Sequence, residues 1–352
     1  MKYIKRIALA LAVIVTANIL LWPPKSMLID HTEKPEKGSQ RREFENNLVQ
    51  SKPQIVLLGN SMLTEGIESG LLSSLTQTRT ARFSRGGSSS AWWYLVLKNV
   101  IAKSSHKPSI IAIFFRDEYL TRPDHRVTDK FKLIVNDMAN DEEPLLDRLA
   151  YLESMNYPSY LLNKYSPLYQ KRDGLKKSVD SFIKHKLTAS VMGVEPGKVD
   201  DAIKDVFDNN NLNRGLMTKN QFIVESNTNA DDFDFDKVID KSFLPHMIKI
   251  ADKKNIELVF VRVKKRRDLK PDSEPARLKS YITDLKSYME KNNVTMLDFT
   301  HDSRLKLGHY AGGDHLNRKT GIILFTKLFA QAMRPIIEEN AKYDQSPIAA
   351  QK

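Results

Sequence analysis

The sequence predicts an α/β protein, a three-layer αβα sandwich with a mostly parallel sheet. Short apolar runs alternate with helical patterns along the chain, which is typical of this class. The first run, 55–58, is continuously apolar and ends at Gly59, as expected of a strand that is buried on both faces. Between the last two runs, apolar residues recur at helical spacing on one face. These are Leu278, Tyr281, Ile282, Leu285, Tyr288 and Met289.

Five strands and two further helices follow from the same patterns. The strands are predicted at 55–58, 82–83, 110–115, 256–263 and 295–299, and the helices at 91–102 and from about 317 to 339. No repeat of fixed period is visible.

The segment 121–245 does not follow this alternation of strands and helices and is predicted to be a large helical insertion between the third and fourth strands. It is helical in places, at 143–152 and 175–186, and asparagine-rich around 208–213. Ligands of open α/β sheets bind beyond the carboxyl ends of the strands, so the insertion could form a lid or a substrate platform. A solvated helical appendage is the alternative.

The amino terminus resembles an export signal. Three basic residues, Lys2, Lys5 and Arg6, precede the apolar stretch 7–22, which Pro23 ends. As a helix this stretch would be about 24 Å long, slightly short of a hydrocarbon core of about 30 Å. We expect an uncleaved signal anchor that crosses the inner (cytoplasmic) membrane once through residues 3–22 and leaves the bulk of the chain in the periplasm. A cleaved signal peptide is the alternative.

These features divide the chain into four parts. The polar, proline-punctuated stretch before the first strand reads as a tether. The predicted parts are the anchor at 1–25, the tether at 26–50, the α/β domain at 51–345 and a disordered tail at 346–352.

The composition excludes several classes of function. The absence of cysteine excludes disulfide scaffolds, thiolate catalysis and cysteine-based zinc sites. The 55 Lys and Arg against 43 Asp and Glu give a net charge of +12. Because exported domains rarely meet nucleic acid, we expect no nucleic-acid partner. The charge indicates affinity for anionic envelope polymers or lipid head groups, or nothing specific.

Ser61 is the candidate nucleophile. It follows Gly59 and Asn60, where a buried strand turns into a predicted helix, so its hydroxyl and the first helical amides would share the carboxyl edge of the sheet. An ordinary helix N-cap is the alternative.

Two other loops could bind a substrate oxygen. Gly86 and Gly87 follow the second strand and would allow backbone N–H groups to approach a ligand closely, although a tight turn is the alternative. Arg116 and Asp117 directly follow the third strand. Arg116 could stabilise an oxyanion and Asp117 could orient it.

His315 is the candidate general base. It lies in the glycine-bounded loop 312–317 before the last helix, a placement from which a histidine could reach a serine across the strand ends. A polar surface residue is the alternative. No second histidine stands at ligand spacing on a shared face, so we expect no metal, and no cofactor is expected.

These loops resemble the sequence blocks of the SGNH (GDSL-like) hydrolase superfamily. "IVLLGNSML" resembles its first block, with Ser61 as the nucleophile. Asn60 stands in place of the family's aspartate and is a candidate oxyanion or substrate contact. "FSRGGSSS" resembles its glycine block, in which Gly86 or Gly87 would supply an amide. "IIAIFFRDE" falls where the family has Gly-x-Asn-Asp, so that Arg116 stands for the oxyanion asparagine.

The final block matches in part. "DHLNRKTG" resembles the family's Asp-x-x-His block and makes His315 the base. The position three residues before it is Gly312 rather than aspartate, and the nearest carboxylate is Asp314. The resemblance covers 54–120 and 250–340 and implies a flavodoxin-like, SGNH-type sheet.

The resemblance implies a membrane-anchored, exported esterase or O-acyltransferase that acts on ester-linked acyl groups of an envelope glycan by a Ser-His mechanism. Its partners would be an envelope polysaccharide or other acylated glycan and a multi-span membrane O-acyltransferase. The alternative is a catalytically silent SGNH-like protein that binds a glycan or assembles with such a transferase. Gly312 and Arg116 favour that alternative, although a Ser-His pair without its aspartate can retain catalysis.

Overall fold

The computed structural model describes residues 39–128, 131–152, 230–263, 274–312 and 315–344. Apart from Tyr151 and Leu152, these residues belong to one compact unit, formed by residues 34–150 and 221–352. The predicted anchor (1–25), the predicted tail (346–352) and the predicted helix at 175–186 lie outside the described residues.

A five-stranded parallel sheet forms the centre of this unit. Its strands lie in the order β2-β1-β3-β4-β5, and every neighbouring pair is parallel. This is the flavodoxin-like order that the resemblance implies, and the predicted fold class is confirmed. The strands are β1 (Ile55–Gly59), β2 (Thr80–Ser84), β3 (Ile110–Phe115), β4 (Glu257–Arg262) and β5 (Thr295–Asp298).

The register aligns the carboxyl ends of the strands along one edge of the sheet. Gly59 of β1 lies opposite Ser84 of β2 and Phe114 of β3, and Arg262 of β4 lies opposite Phe115 of β3. β1 and β3 are buried along their whole length, because both faces are covered by helices and their side chains are apolar. The loops that follow β1, β2 and β3 therefore meet at this edge.

Helices and a small hairpin complete the described part of the chain. The α-helices are α1 (Gln40–Ser51), α2 (Ser61–Thr64), α3 (Ser69–Thr76), α4 (Ser90–Leu95), α5 (Lys132–Asn136), α6 (Pro144–Leu146), α7 (Phe235–Val238), α8 (Leu244–Lys253), α9 (Ala276–Lys291) and α10 (Gly321–Asp344). The hairpin pairs β6 (Tyr310–Gly312) with β7 (His315–Leu316) in antiparallel orientation. Short 3₁₀ turns include Asp117–Leu120 and Leu307–His309.

The two faces of the sheet carry different layers. On one face, Ile55 and Leu57 belong to a cluster of buried apolar residues that includes Leu63 of α2, Leu72 of α3 and Phe329 of α10. The other face is covered by α1, α4, α8 and α9. Right-handed crossovers between parallel strands require this division, because the chain reverses direction across the sheet after β2.

Residues 40–50, which the sequence analysis assigns to the tether, are instead helical. Phe44 of α1 stacks on Phe83 of β2 with ring centroids 4.2 Å apart and meets the edge of Trp92 at 6.1 Å. Leu48, one turn later, is fully buried. The helix therefore forms because its two buried residues pack on the sheet layer, although the segment is otherwise polar.

Other segments follow the predictions with shifted bounds. The helix predicted at 91–102 begins as α4 and continues as a π-helix over Val96–Ile101. The last helix begins at Gly321 rather than at 317. Within the described ranges, no helix is both long enough and apolar enough to cross a membrane.

Candidate active site

Ser61 is the first residue of α2 and lies directly beyond β1. The helix is capped by the preceding residue, because Asn60 Oδ1 accepts a hydrogen bond from the amide of Met62 at 2.9 Å. Ser61 is therefore not the N-cap of this helix, which was the alternative role for it in the sequence analysis. Its side chain is half-buried, and its hydroxyl makes no hydrogen bond with any residue in the described ranges.

Asn60 holds the turn instead of facing an open site. It is buried, and its Nδ2 donates a hydrogen bond to the carbonyl of Ser88 at 3.4 Å. Both ends of its amide therefore have protein partners. A contact between Asn60 and a substrate stays a prediction. Its observed effect is to tie the nucleophile turn to the loop that follows β2.

The glycine loop is fixed against the end of β1. The amide of Arg85 and the hydroxyl of Ser88 both donate hydrogen bonds to the carbonyl of Gly59, each at 3.1 Å. Trp93 of α4 in turn donates its indole N–H to Ser88 Oγ at 3.2 Å. These hydrogen bonds hold the loop that carries Gly86 and Gly87 against the end of β1, next to the turn that carries Ser61.

The two glycines of this loop have different requirements. Gly87 has φ +80°, and a Cβ there would lie 2.4 Å from Cε1 of Phe131, so a side chain is excluded both by backbone conformation and by packing. At Gly86, a Cβ would meet none of the described residues within 4 Å. Open space thus lies beside Gly86.

Three amides at this edge remain available to a ligand. The backbone N–H groups of Ser61, Gly86 and Gly87 donate no hydrogen bond to another residue of the described chain. Ser61, at the first helical position, has no intrahelical acceptor for its amide. Unsatisfied N–H groups beside a serine hydroxyl are what an oxyanion hole consists of.

Arg116 and Asp117 follow β3 as predicted, and Asp117 binds a second arginine that the sequence does not indicate. Asp117 is buried in the left-handed region at φ 42°, and its Oδ1 accepts a hydrogen bond from Nη2 of Arg262 at 2.8 Å. Arg116 is half-buried, and its charge acts on the nearby Glu118 and His125. The carboxylate predicted to orient Arg116 is thus engaged by the arginine at the end of β4.

His315 lies at the start of β7, half-buried, on a hairpin that is tightly fixed. Asn317 Nδ2 donates to the carbonyl of Gly308 at 2.8 Å, and Asn317 Oδ1 accepts from the amide of Gly321, the first residue of α10, at 3.2 Å. Leu316 belongs to the same buried cluster as Met62, the neighbour of Ser61.

Ser61 and His315 are not hydrogen-bonded to each other. Neither side chain makes a hydrogen bond within the described part of the chain. Catalytic hydrogen bonds are often long before substrate binds, so the Ser61–His315 pair stays a prediction. Asp314, the predicted carboxylate of the site, lies outside the described residues.

A buried charged cluster at the same sheet edge escaped the sequence analysis. Arg262, which is 1% exposed, binds Asp117 and Glu274, and its Nη1 donates to Asp298 Oδ2 at 3.1 Å. Glu274 also accepts a hydrogen bond from Nε2 of His301 at 3.2 Å. An arginine inside the apolar run of β4 was the available signal, because a buried charge requires partners. The sequence does not reveal which carboxylates these are.

Burial and charge shift two groups near β3. Burial raises the pKa of Glu118, against the opposing effect of Arg122 and Arg116. Burial, and then Arg126, Arg122 and Arg116, lower the pKa of His125 to about 3. This histidine is therefore neutral at physiological pH. Among the described residues, no group of three or more histidine or acidic side chains could hold a metal ion.

Comparison with known proteins gives matches only among solved structures. No protein-family profile and no curated protein sequence matches the chain. A putative acylhydrolase from Bacteroides fragilis NCTC 9343 aligns with 10% identity and a TM-score of 0.40, covering 86% of this chain and 99% of its own. A GDSL-like lipase from Bacteroides thetaiotaomicron VPI-5482 aligns with 10% identity and a TM-score of 0.38, covering 85% and 98%. At this similarity, activity can be assigned to this chain only from its own residues.

Proposed function

We propose that this chain is a serine ester hydrolase or O-acyltransferase that acts on ester-linked acyl groups of an envelope glycan. One observation carries the proposal. The hydroxyl of Ser61 has no described partner and lies at the sheet edge where the amides of Ser61, Gly86 and Gly87 also lack acceptors. A nucleophile and oxyanion donors are the two requirements of acyl transfer.

The reaction runs in two steps on these residues. Ser61 Oγ attacks the ester carbonyl carbon and gives its proton to His315, while the amides of Ser61 and Gly86, with Arg116, receive the oxyanion. His315 then protonates the departing alcohol, which leaves an acyl-serine. Water or a sugar hydroxyl, deprotonated by His315, attacks this ester and regenerates Ser61.

The proposal requires the His315 side chain to turn toward Ser61. Asn317 and Gly321 fix the backbone of the β6–β7 hairpin, so a rotation of the His315 side chain is the available movement. Asp314 would orient the imidazole in place of the aspartate that Gly312 replaces.

The cellular setting belongs to the same proposal. The basic residues and the apolar stretch 7–22 support an anchor in the inner membrane through residues 3–22, with the catalytic unit in the periplasm. An enzyme held there would meet an acylated envelope polysaccharide and could receive acyl groups from a multi-span membrane O-acyltransferase.

Paired substitutions test the mechanism. Ser61→Ala, His315→Ala and the double variant should each lose about 10³-fold or more of kcat/KM on 4-nitrophenyl acetate, because members of one catalytic unit are strongly non-additive. His309→Ala, in the 3₁₀ turn directly before the hairpin, is the matched control. If the two losses multiply in the double variant, Ser61 and His315 do not act together.

A catalytically silent glycan-binding protein is the second candidate. The absence of a hydrogen bond between Ser61 and His315, and Gly312 in place of aspartate, favour it. In that case Ser61→Ala would leave both the residual esterase rate and glycan binding unchanged. If the single substitution Ser61→Ala lowers the esterase rate, the hypothesis of a catalytically silent protein is excluded.

A further inference from the structure

Consecutive buried serines hold the loop 122–126 beside the glycine loop. Ser89 donates a hydrogen bond to the carbonyl of His125, and Ser90 donates one to the carbonyl of Arg122 at 2.9 Å. Both serines directly follow the 86–88 turn and are buried. The loop after β3 is therefore fixed relative to the turn that supplies the candidate oxyanion amides.

Arg126 occupies a strained and specific position on this loop. Its φ is 59°, a left-handed conformation that is unfavourable for residues other than glycine, asparagine and aspartate. Its guanidinium carbon lies 5.4 Å from the ring centroid of Phe131, and that ring packs against Gly87. Such strain often accompanies a functional role. These contacts place the positive charge of Arg126 next to the glycine loop.

Arg126 and Arg85 are cations without described counter-ions. Neither forms an ion pair or a side-chain hydrogen bond within the described ranges, and Arg85 is exposed directly before Gly86. The nearest acidic residue of the loop, Asp124, is exposed and also has no ion pair there.

The other described carboxylates near this loop are already engaged or buried. Asp117 binds Arg262, and Asp232 pairs with Arg122 at 3.4 Å. Glu118 is buried, which raises its pKa. The low pKa of His125, to which Arg126 contributes most after burial, is consistent with a positive potential here.

We infer that Arg126, together with Arg85, binds an anionic group of the substrate, a carboxylate or phosphate carried on the polymer beside the ester. The inference rests on the proposed function, because it places the anion next to the acyl group that Ser61 would attack. A planar guanidinium supplies paired N–H donors that match the oxygens of either group. Stacking on Phe131 orders that guanidinium before the substrate arrives.

Two esters with one acyl group test the inference by activity. 4-Acetoxybenzoate and its methyl ester carry the same acetyl group and differ in the methyl group that removes the negative charge of the carboxylate. In Arg126→Gln, kcat/KM for the anionic ester should fall about 10-fold more than that for the methyl ester, and Arg85→Gln should shift the same ratio in the same direction. The control is Arg334→Gln, an exposed position on α10 about 20 Å along the helix from Gly321. A ratio that Arg126→Gln leaves at the wild-type value overturns the inference.

Binding measurements separate this inference from the proposed function. Oligogalacturonate and oligo(glycerol phosphate) are titrated calorimetrically into the wild-type protein and Arg126→Gln. We expect one of them to bind, with a dissociation constant raised about 10-fold in the variant, and the tighter ligand identifies the anion as carboxylate or phosphate. If Arg126→Gln weakens oligomer binding while the wild-type protein shows no esterase activity, the catalytic proposal is refuted and the anion site is kept. Unchanged binding in Arg126→Gln, or no binding of either oligomer, overturns the site.

Discussion

Replacing Arg262 by methionine should destabilise the protein strongly. The guanidinium of Arg262 is 1% exposed, and it compensates Asp117 and Glu274, whose side chains are each 4% exposed. Methionine fills a similar volume but removes the positive charge that these two buried carboxylates share. Breaking a buried ion pair in this way costs about 3–5 kcal/mol. Since whole domains are stable by about 5–15 kcal/mol, the expected loss is a large part of the total.

The assay is urea unfolding followed by circular dichroism on the full chain. The matched control is Arg304→Met, which breaks an exposed pair with Asp302 and should leave the unfolding midpoint unchanged. The same Arg262→Met substitution is then made in an Asp117→Asn/Glu274→Gln background. Because the uncompensated charges are absent there, the cost of losing Arg262 should fall by at least about 1 kcal/mol. An equal cost in both backgrounds would refute the reasoning.

Two further outcomes are expected. Gly87→Ala should lower the free energy of unfolding by more than about 1 kcal/mol, because φ +80° and the contact with Phe131 both oppose a side chain. Gly86→Ala, the control, should change the free energy of unfolding by less than about 0.5 kcal/mol. Equal effects of the two substitutions in thermal or urea unfolding would contradict the packing at Gly87. An alkaline phosphatase reporter fused after Lys352 should be active and a cytoplasmic reporter at the same site inactive, and the reverse pattern would contradict the proposed anchor at residues 3–22.

The central strands β1 and β3 could be predicted from sequence because they are buried on both faces. Runs such as 55–58 and 110–115 have no polar residue to interrupt them, so their length and their flanking turns are enough to locate them. The helix α9 could be predicted because five of its residues that recur at helical spacing are buried.

The helix α1 was missed for the opposite reason. Only Phe44 and Leu48 of its twelve residues are buried, and two positions one turn apart make a weak pattern among charged neighbours. The helix owes its position to Phe83 and Trp92, which are distant in sequence. The spacing of Phe44 and Leu48 after Ser39 was the signal available.

The sequence was sufficient to predict which loops form the candidate site, but not which side chains in it form ion pairs. Strand ends followed by Ser61, Gly86, Gly87 and Arg116 locate a shared edge, because parallel strands align their carboxyl ends. The partner of Asp117 could not be predicted, since Arg262 lies 145 residues away along the chain. Glu274 and His301 are 27 residues apart along the chain, and nothing in their spacing indicates that they pair.

The place of β4 in the sheet also constrains how the chain can fold while it is being synthesised. β1, β2 and β3 can pair once residues up to Phe115 are available, but the other edge of β3 waits for a strand that starts only at Glu257. At about 5–20 residues per second, the ribosome needs roughly 7–28 s to supply the intervening chain. During that interval the six apolar residues of β3 form an open strand edge, which is a template for aggregation. We therefore expect the nascent chain to be most prone to aggregation in the interval before its fourth strand arrives.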